Sequence, residues 1–246
     1  MTFSKTLVGL SVIGAANSLW AVEPITGEVE FGFVSTTGNT ETTSIISKLS
    51  VTQDLENWKN NYLIDTLFKE EKVDVNGTKQ TQTSAERYFA SAQGDYKLNE
   101  ESSALFVYGS YEHDRFSGYD QRNTLAVGYA DQIFKDSHSL LTYNAGPGYF
   151  YDKENDGTTE EGGIIRLALD YQNNLSETAK FKQLLSTEAA LESDDNTKSK
   201  SETSISAKLM GNLSLKAAYS IIHNSNVPDG TEETDSTTSV SVLYLF

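Results

Sequence analysis

Ionisable side chains recur at every second position through much of this sequence, and the positions between them are apolar. Lys59, Asn61, Asp65 and Lys69 alternate with Trp58, Tyr62, Ile64 and Phe68, and Arg166 and Asp170 alternate with Ile165, Leu167, Leu169 and Tyr171. A period of two is that of a β-strand, whose successive side chains point to opposite faces, so the charges share one face and the apolar residues the other. The charged face collects Lys48, Lys59, Lys69, Arg87, Arg122, Arg166, Lys180, Lys182, Lys208 and Lys216, with Glu28, Glu30, Asp65, Glu112, Asp114, Asp170 and Glu188. Fixed charges lining a water-filled passage tune its ion selectivity. In a narrow passage the same charges pair across the interior and fill it. We expect Lys48, Lys59, Asp65, Arg87, Glu112, Asp114, Arg122, Arg166, Asp170, Lys180, Lys182 and Lys208 to line such an interior. Bases and acids are nearly balanced, which leaves an open passage and a packed one both available.

Other chemistry has weaker support. Nucleophilic catalysis needs a nucleophile, a base and an orienting group within mutual reach. The three histidines, His113, His138 and His223, sit in no familiar nucleophile motif, and the sequence proximity of His223 to Ser225 says nothing about geometry. We expect no enzyme. Asp152, Glu154, Asp156, Gly157 and Glu160 have the spacing of a calcium loop, but Gly163 stands where a bidentate glutamate is needed. An ordinary acidic loop accounts for them better. With no cysteine, phosphate-binding glycine loop or basic stripe, the chain gives no reason to expect a metal, cofactor or nucleic acid.

The elements that must position the charged face are strands. Period-two alternation picks out twelve segments, which predicts an all-β chain folded as a transmembrane antiparallel barrel, an up-and-down meander. In the fifth segment Phe106 and Tyr108 make the phase ambiguous, because Leu105, Val107 and Tyr111 are also apolar. The last segment, Thr238–Phe246, places Val240, Val242, Tyr244 and Phe246 on one face. As an exposed edge in water that strand would be an aggregation hazard, whereas lipid and a first strand at Val29–Val34 would cover it in a barrel. We expect Tyr244 and Phe246 to serve as the signal read by the barrel-insertion machinery. At the other end Lys5, the uncharged run Thr6–Ala16 and the small residues after it have the outline of a secretory signal over residues 1–21, cleaved most simply after Ala21, with Ser18 and Ala16 as alternatives. Residues 22–246 then form the barrel domain. A mean hydropathy of −0.43 excludes a helical membrane protein and is compatible with half-apolar strands joined by polar loops.

Connection lengths support the meander. The turns at Gln53–Asn57, Lys97–Ser102, Phe134–His138, Gln172–Thr178 and Met210–Asn212 are short and are expected on the periplasmic side. Glu71–Gln82, Asp152–Glu161, Leu191–Glu202 and His223–Ser236 are longer and are expected outside. The chain carries a net charge of −16, and much of it falls in three of these outer segments. Pro147, between two glycines, is expected to mark a kink or bulge. Asp114, Arg115, Asp120 and Arg122 flank a turn and are expected to form an ion-pair cluster at the outer mouth.

Gly27-Glu-Val-Glu-Phe-Gly-Phe with Thr37-Gly-Asn-Thr40, then Tyr111-Glu-His-Asp-Arg-Phe-Ser-Gly-Tyr-Asp-Gln-Arg122 and Gly146-Pro-Gly-Tyr149, resemble the family of salt-induced outer-membrane proteins, a domain family of unknown function in Gram-negative bacteria. The resemblance covers about Gly27 to Phe246. It implies a barrel in the outer membrane, associated with salt or osmotic conditions, and no reaction or ligand. Its partners would be outer-membrane lipid, lipopolysaccharide and the insertion machinery, with small solutes or ions in the interior. A small passive channel is the leading expectation, with a non-conducting structural or adhesive barrel as the alternative and a membrane hydrolase behind both.

Overall fold

The computed structural model describes residues 25–36, 41–75, 78–98, 102–114, 117, 119–227 and 231–246; residues 1–21, expected to be a signal, lie outside them. The strands are β1 (Ile25–Thr36), β2 (Glu41–Asp54), β3 (Trp58–Val75), β4 (Thr78–Lys97), β5 (Ala104–Asp114), β6 (Tyr119–Lys135), β7 (Ser139–Glu154), β8 (Thr159–Asn174), β9 (Ala179–Ala190), β10 (Lys198–Met210), β11 (Leu213–Asn224) and β12 (Thr234–Leu245). Each pairs antiparallel with its sequence neighbours, and β12 closes on β1, so the sheet is a closed twelve-stranded meander barrel. Closure pairs the two end strands with each other, which is how a bilayer-spanning sheet satisfies its edges.

The outward face is apolar from strand to strand. Val29 and Phe31, Leu49, Tyr62 and Ile64, Leu105 and Val107, Leu125 and Val127, Ile165 and Leu167, Leu185, Ile205, Leu215, Val240 and Val242 are all exposed. Near the short-turn rim the aromatic rings gather into a belt: Trp58 lies 5.4 Å from Tyr96, Tyr129 6.4 Å from Tyr143, and Tyr171 6.2 Å from Phe134 and 6.1 Å from Phe181. An apolar band edged by an aromatic girdle is the outer surface of a transmembrane barrel, where amphipathic rings sit at headgroup level.

Three expectations about elements change. Most of the Glu71–Gln82 segment is strand, as β3 runs to Val75 and β4 begins at Thr78. The segments at Asp152–Glu161, Leu191–Glu202 and His223–Ser236 likewise shrink to residues 155–158, 191–197 and 225–233. Beyond the hydrocarbon both faces of a strand are wet, so its residues are polar on both sides and carry no alternation. Pro147 makes no bulge. The β6–β7 register is the same on both sides of it, at Ala126↔Gly148 and Tyr129↔Ala145, and the ladder passes over the rungs between. There Gly128 and Gly146 face each other with no room for a side chain: a Cβ on Gly146 would fall 2.0 Å from the Val127 carbonyl oxygen, and one on Gly128 2.2 Å from that of Ala145. The Phe106 ring lies against Gly128 from inside.

The seam is short. It consists of the Gly27–Phe246 rung, with both backbone hydrogen bonds at 2.9 Å, and the register from Glu28↔Leu245 to Phe31↔Val242. On its other side β1 pairs with β2 from Ile25↔Gln53 to Thr36↔Thr42. The ring of Phe246 lies over Gly27, where an added Cβ would meet it at 2.4 Å.

Candidate functional site

The inward face holds nearly all the buried polar groups, and they gather into a band at the waist of the barrel. From β10, Lys198, Lys200 and Glu202 project inward and reach strands on the opposite wall. Glu202 takes Lys48 of β2 at 3.1 Å and its neighbour Lys216 of β11 at 3.0 Å. Lys216 also holds Glu30 of β1 at 2.8 Å, and the Ser241 hydroxyl donates to the same carboxylate at 2.6 Å. Lys198 pairs with Glu112 of β5. Lys200 approaches Asp65 of β3 at 3.9 Å, a carboxylate already held by Arg87 of β4 at 2.9 Å. Long side chains anchored on opposite walls therefore meet in the middle.

Around that cross-brace sit two further arginines. Arg122 of β6 pairs with Asp152 of β7 at 3.0 Å and donates across the interior to Asn224 Oδ1 of β11 at 2.7 Å. Arg166 of β8 donates to Asn144 Oδ1 at 2.6 Å, lies 3.8 Å above the Tyr108 ring and has Glu188 of β9 at 3.9 Å. Thr124 donates to the other oxygen of Glu188 at 3.0 Å. Phe106, Tyr108 and Ala126 pack as an apolar cluster on the β5–β6 side of the interior. Among these groups is a cavity of about 50 Å³ lined by Arg87, Arg122, Arg166, Lys198, Lys200, Glu112 and Glu188, among others. A water centre needs ~10–15 Å³, so this cavity has room for only a few water-sized occupants.

The two ends differ. Towards the short turns Asp170 and Lys182 pair at 3.5 Å, each about a third exposed, and Lys59, Lys180 and Lys208 are exposed at the rim. Towards the long connections the segment 191–197 folds over the mouth. Asn196 is buried there and donates to Asn224 at 3.1 Å, and Asn226 donates to the Asp194 carbonyl at 2.8 Å. The hydroxyl of buried Tyr119 donates to the Asn226 carbonyl at 2.8 Å, reaching this segment from β6.

The expected lining residues thus divide. Lys48, Asp65, Arg87, Glu112, Arg122 and Arg166 stand in the waist; Asp170 and Lys182 stand below it; Lys59, Lys180 and Lys208 mark the short-turn rim. Asp114 is half-buried where β4 and β5 pair, opposite Arg87. Tyr244 and Phe246 face outward beside the seam. Lys198, Lys200, Glu202 and Asp152 were expected in loops and instead complete the waist, because β7 and β10 continue further than their alternation reveals. Two members of the expected mouth cluster part from each other. Arg122 turns inward to Asp152, and Asp120 takes His113 at 3.4 Å and Lys153 at 3.7 Å; Arg115 lies outside the described residues.

The other candidate chemistries resolve into structure. His223 contacts the Thr234 hydroxyl at 2.9 Å while the Ser225 hydroxyl accepts from the Thr197 amide at 2.9 Å, so the two do not pair. His113 stacks on Tyr88 on the outer face, and His138 lies in an exposed turn. The calcium-like spacing forms a hairpin tip: Gly157 adopts a left-handed φ of 93°, Asp156 accepts from the Thr158 amide at 2.7 Å, and Asp152 points away into the barrel. The Thr158 amide, and then the Thr158 side chain, hold the Asp156 carboxyl below its ordinary range. Among the described residues no group of acids and histidines is placed to hold a metal.

A family model described as "Protein of unknown function, DUF481" matches residues 29–246. The uncharacterized protein YdiY of Escherichia coli K12 is 27% identical over 225 residues, covering 91% of this chain and 84% of that protein. Among solved structures, the NanC porin aligns over 89% of this chain and 97% of its own at 8% identity and a TM-score of 0.49. The translocator domain of the autotransporter NalP from Neisseria meningitidis aligns over 90% and 87% at 15% identity and a TM-score of 0.46.

Proposed function

We propose that this chain, which belongs to the family described as protein of unknown function DUF481, is a narrow channel of the Gram-negative outer membrane whose waist is braced by ion pairs and passes only small ions. The observation that carries the reading is the brace itself. A permanent plug is most cheaply built from apolar side chains, since desolvating paired charges offsets most of their attraction. A waist of flexible lysines and carboxylates is wettable, and it exchanges internal partners for mobile ions as salt rises.

The placement in the outer membrane rests on the apolar band and aromatic girdle. It orients the long connections towards lipopolysaccharide and the short turns towards the periplasm. A signal over residues 1–21, recognition of Tyr244 and Phe246 by the insertion machinery, and a role under salt or osmotic stress belong to the same proposal. The last of these rests on the family resemblance alone. The packing of the waist favours a second reading, a non-conducting structural or adhesive barrel.

Planar bilayers separate the two. The refolded protein is expected to show small unitary currents that rise more steeply than bulk conductivity between 0.1 and 1 M KCl, on the order of the range over which the Debye length falls from about 10 Å to 3 Å. Lys198→Gln with Lys200→Gln, which removes two arms of the brace, is expected to raise the current several-fold. Silence in both proteins at every salt concentration overturns the channel and leaves the structural barrel.

A further inference from the structure

The surface that lines the waist chamber is mostly cationic: Arg87, Arg122, Arg166, Lys198 and Lys200 stand against Glu112 and Glu188. Asp65 and Asp152 pair with Arg87 and Arg122, and Asp114 stands opposite Arg87. Lys200 is the base least answered by a carboxylate. Its one carboxylate partner among the described residues is Asp65 at 3.9 Å, shared with Arg87, and its ammonium otherwise lies 5.3 Å from the Phe89 ring centroid.

The hydrogen bonding points the same way. Among the described residues the buried Nε–H of Arg166 has no hydrogen-bond acceptor, the Glu188 carboxylate lying 3.9 Å from it, although its side chain is only 8% exposed; the Nε–H of Arg87 also lacks an acceptor among them. Buried guanidinium donors are costly to leave unanswered, and an uncompensated buried cation more so. Arg87, Arg166 and Lys200 border the same space of about 50 Å³. A neutral water would satisfy a donor and leave the charge. A carboxylate ligand would need a carbon skeleton for which the space has no room.

We propose that this chamber is a binding site for one small monovalent inorganic anion of chloride size, held by the Arg87 and Arg166 Nε–H groups and the Lys200 ammonium. The site deepens the channel reading, since a resident anion would stand in the ion path, and it rests on that reading only for the ion's route inward.

Bromide is the probe, because it replaces chloride and scatters anomalously. Crystals of the refolded protein grown with bromide are expected to show an anomalous peak within hydrogen-bonding distance of Arg166 Nε, and Lys200→Met is expected to lose it. In solution, the temperature at which the barrel loses its heat-modifiable gel mobility is expected to be several degrees higher in sodium chloride than in sodium gluconate of equal concentration. Lys200→Met abolishes that difference. Arg166→Lys, which keeps the charge and removes the Nε donor, diminishes it and serves if Lys200→Met does not fold. No peak in the chamber with equal stability in the two salts overturns the site, as does a chloride effect unchanged in both variants. Neither readout depends on conduction, so silent bilayers with a bromide peak reject the channel and keep the site.

Discussion

A buried ion pair is asymmetric: removing one partner strands the other, whereas removing both with apolar replacements removes the cost as well. Arg122 and Asp152 are the sharpest case, since Asp152 is only 1% exposed. Arg122→Ala leaves that carboxylate and Asn224 without their cationic partner and is expected to destabilise the barrel by about 3–5 kcal/mol. The double variant Arg122→Met with Asp152→Leu is expected to recover most of that loss. Urea midpoints for the folded barrel in lipid vesicles check both, and a double variant as unstable as the single one would show that the pair itself holds the waist together. Outside the membrane Asp136 offers a pH-dependent counterpart. Its carboxylate accepts from the His138 and Ser139 amides, each at 2.7 Å, and those bonds hold it below its ordinary pKa. A depressed folded pKa means the turn's stabilisation is complete above the ordinary aspartate range and is lost as the pH falls through the lower folded value. Exchange of those two amides, corrected for its intrinsic pH dependence, is expected to accelerate in that acidic window. Asp136→Asn, which keeps an acceptor and cannot titrate, removes the acceleration.

At the level of the strand, backbone approach matters as much as side-chain pattern. Gly146→Ala would press a methyl group against the Val127 carbonyl where β6 and β7 are closest, whereas the nearest atom to a Cβ at Gly109 is the Thr124 carbonyl oxygen at 4.0 Å. Gly146→Ala is therefore expected to lose most of its folding yield on a detergent gel, and Gly109→Ala to keep it. The glycine pair was not visible in the sequence as a close approach, because the Gly146-Pro-Gly148 motif announces a broken ladder without saying which strand crowds it. Strands were legible where one face meets lipid: around Trp58–Phe68 the outward Trp58, Tyr62, Ile64 and Phe68 alternate with the inward Lys59, Asn61 and Asp65. They were illegible where that contrast disappears. On β10 the outward Ser199, Ser201 and Thr203 are as polar as the inward Lys198, Lys200 and Glu202, and Gln183 and Thr187 of β9 hydrogen-bond to them along the wall. The alternation therefore leaves Lys198, Lys200 and Glu202 of the waist in a loop. On β5 the contrast fails in the opposite sense, since Phe106 and Tyr108 fill the interior while Leu105 and Val107 face outward.

For the molecule as a whole, closure is the least secured step. Eleven of the twelve strand contacts join sequence neighbours through a hairpin, and the β1–β12 contact alone joins the ends of the described barrel. That seam carries the largest loop-closure entropy and the shortest register, from Gly27–Phe246 to Phe31↔Val242. Local opening begins where the hydrogen bonds are fewest, so the barrel is expected to unfold from this seam. The absence of cysteine allows a clean test by paired substitution. Val29 and Tyr244 are register partners with outward side chains, and cross-strand Cβ atoms about 4.5–5.5 Å apart come within reach of a disulfide after small adjustment. Val29→Cys with Tyr244→Cys, oxidised, is expected to raise the temperature of the gel-mobility transition well above that of its reduced form. The same bridge between Leu105 and Tyr129, register partners in the β5–β6 hairpin, constrains a contact that opens later and is expected to raise it little. Equal gains from the two bridges would mean that the wall yields everywhere at once, and that the short register at the seam costs the barrel nothing.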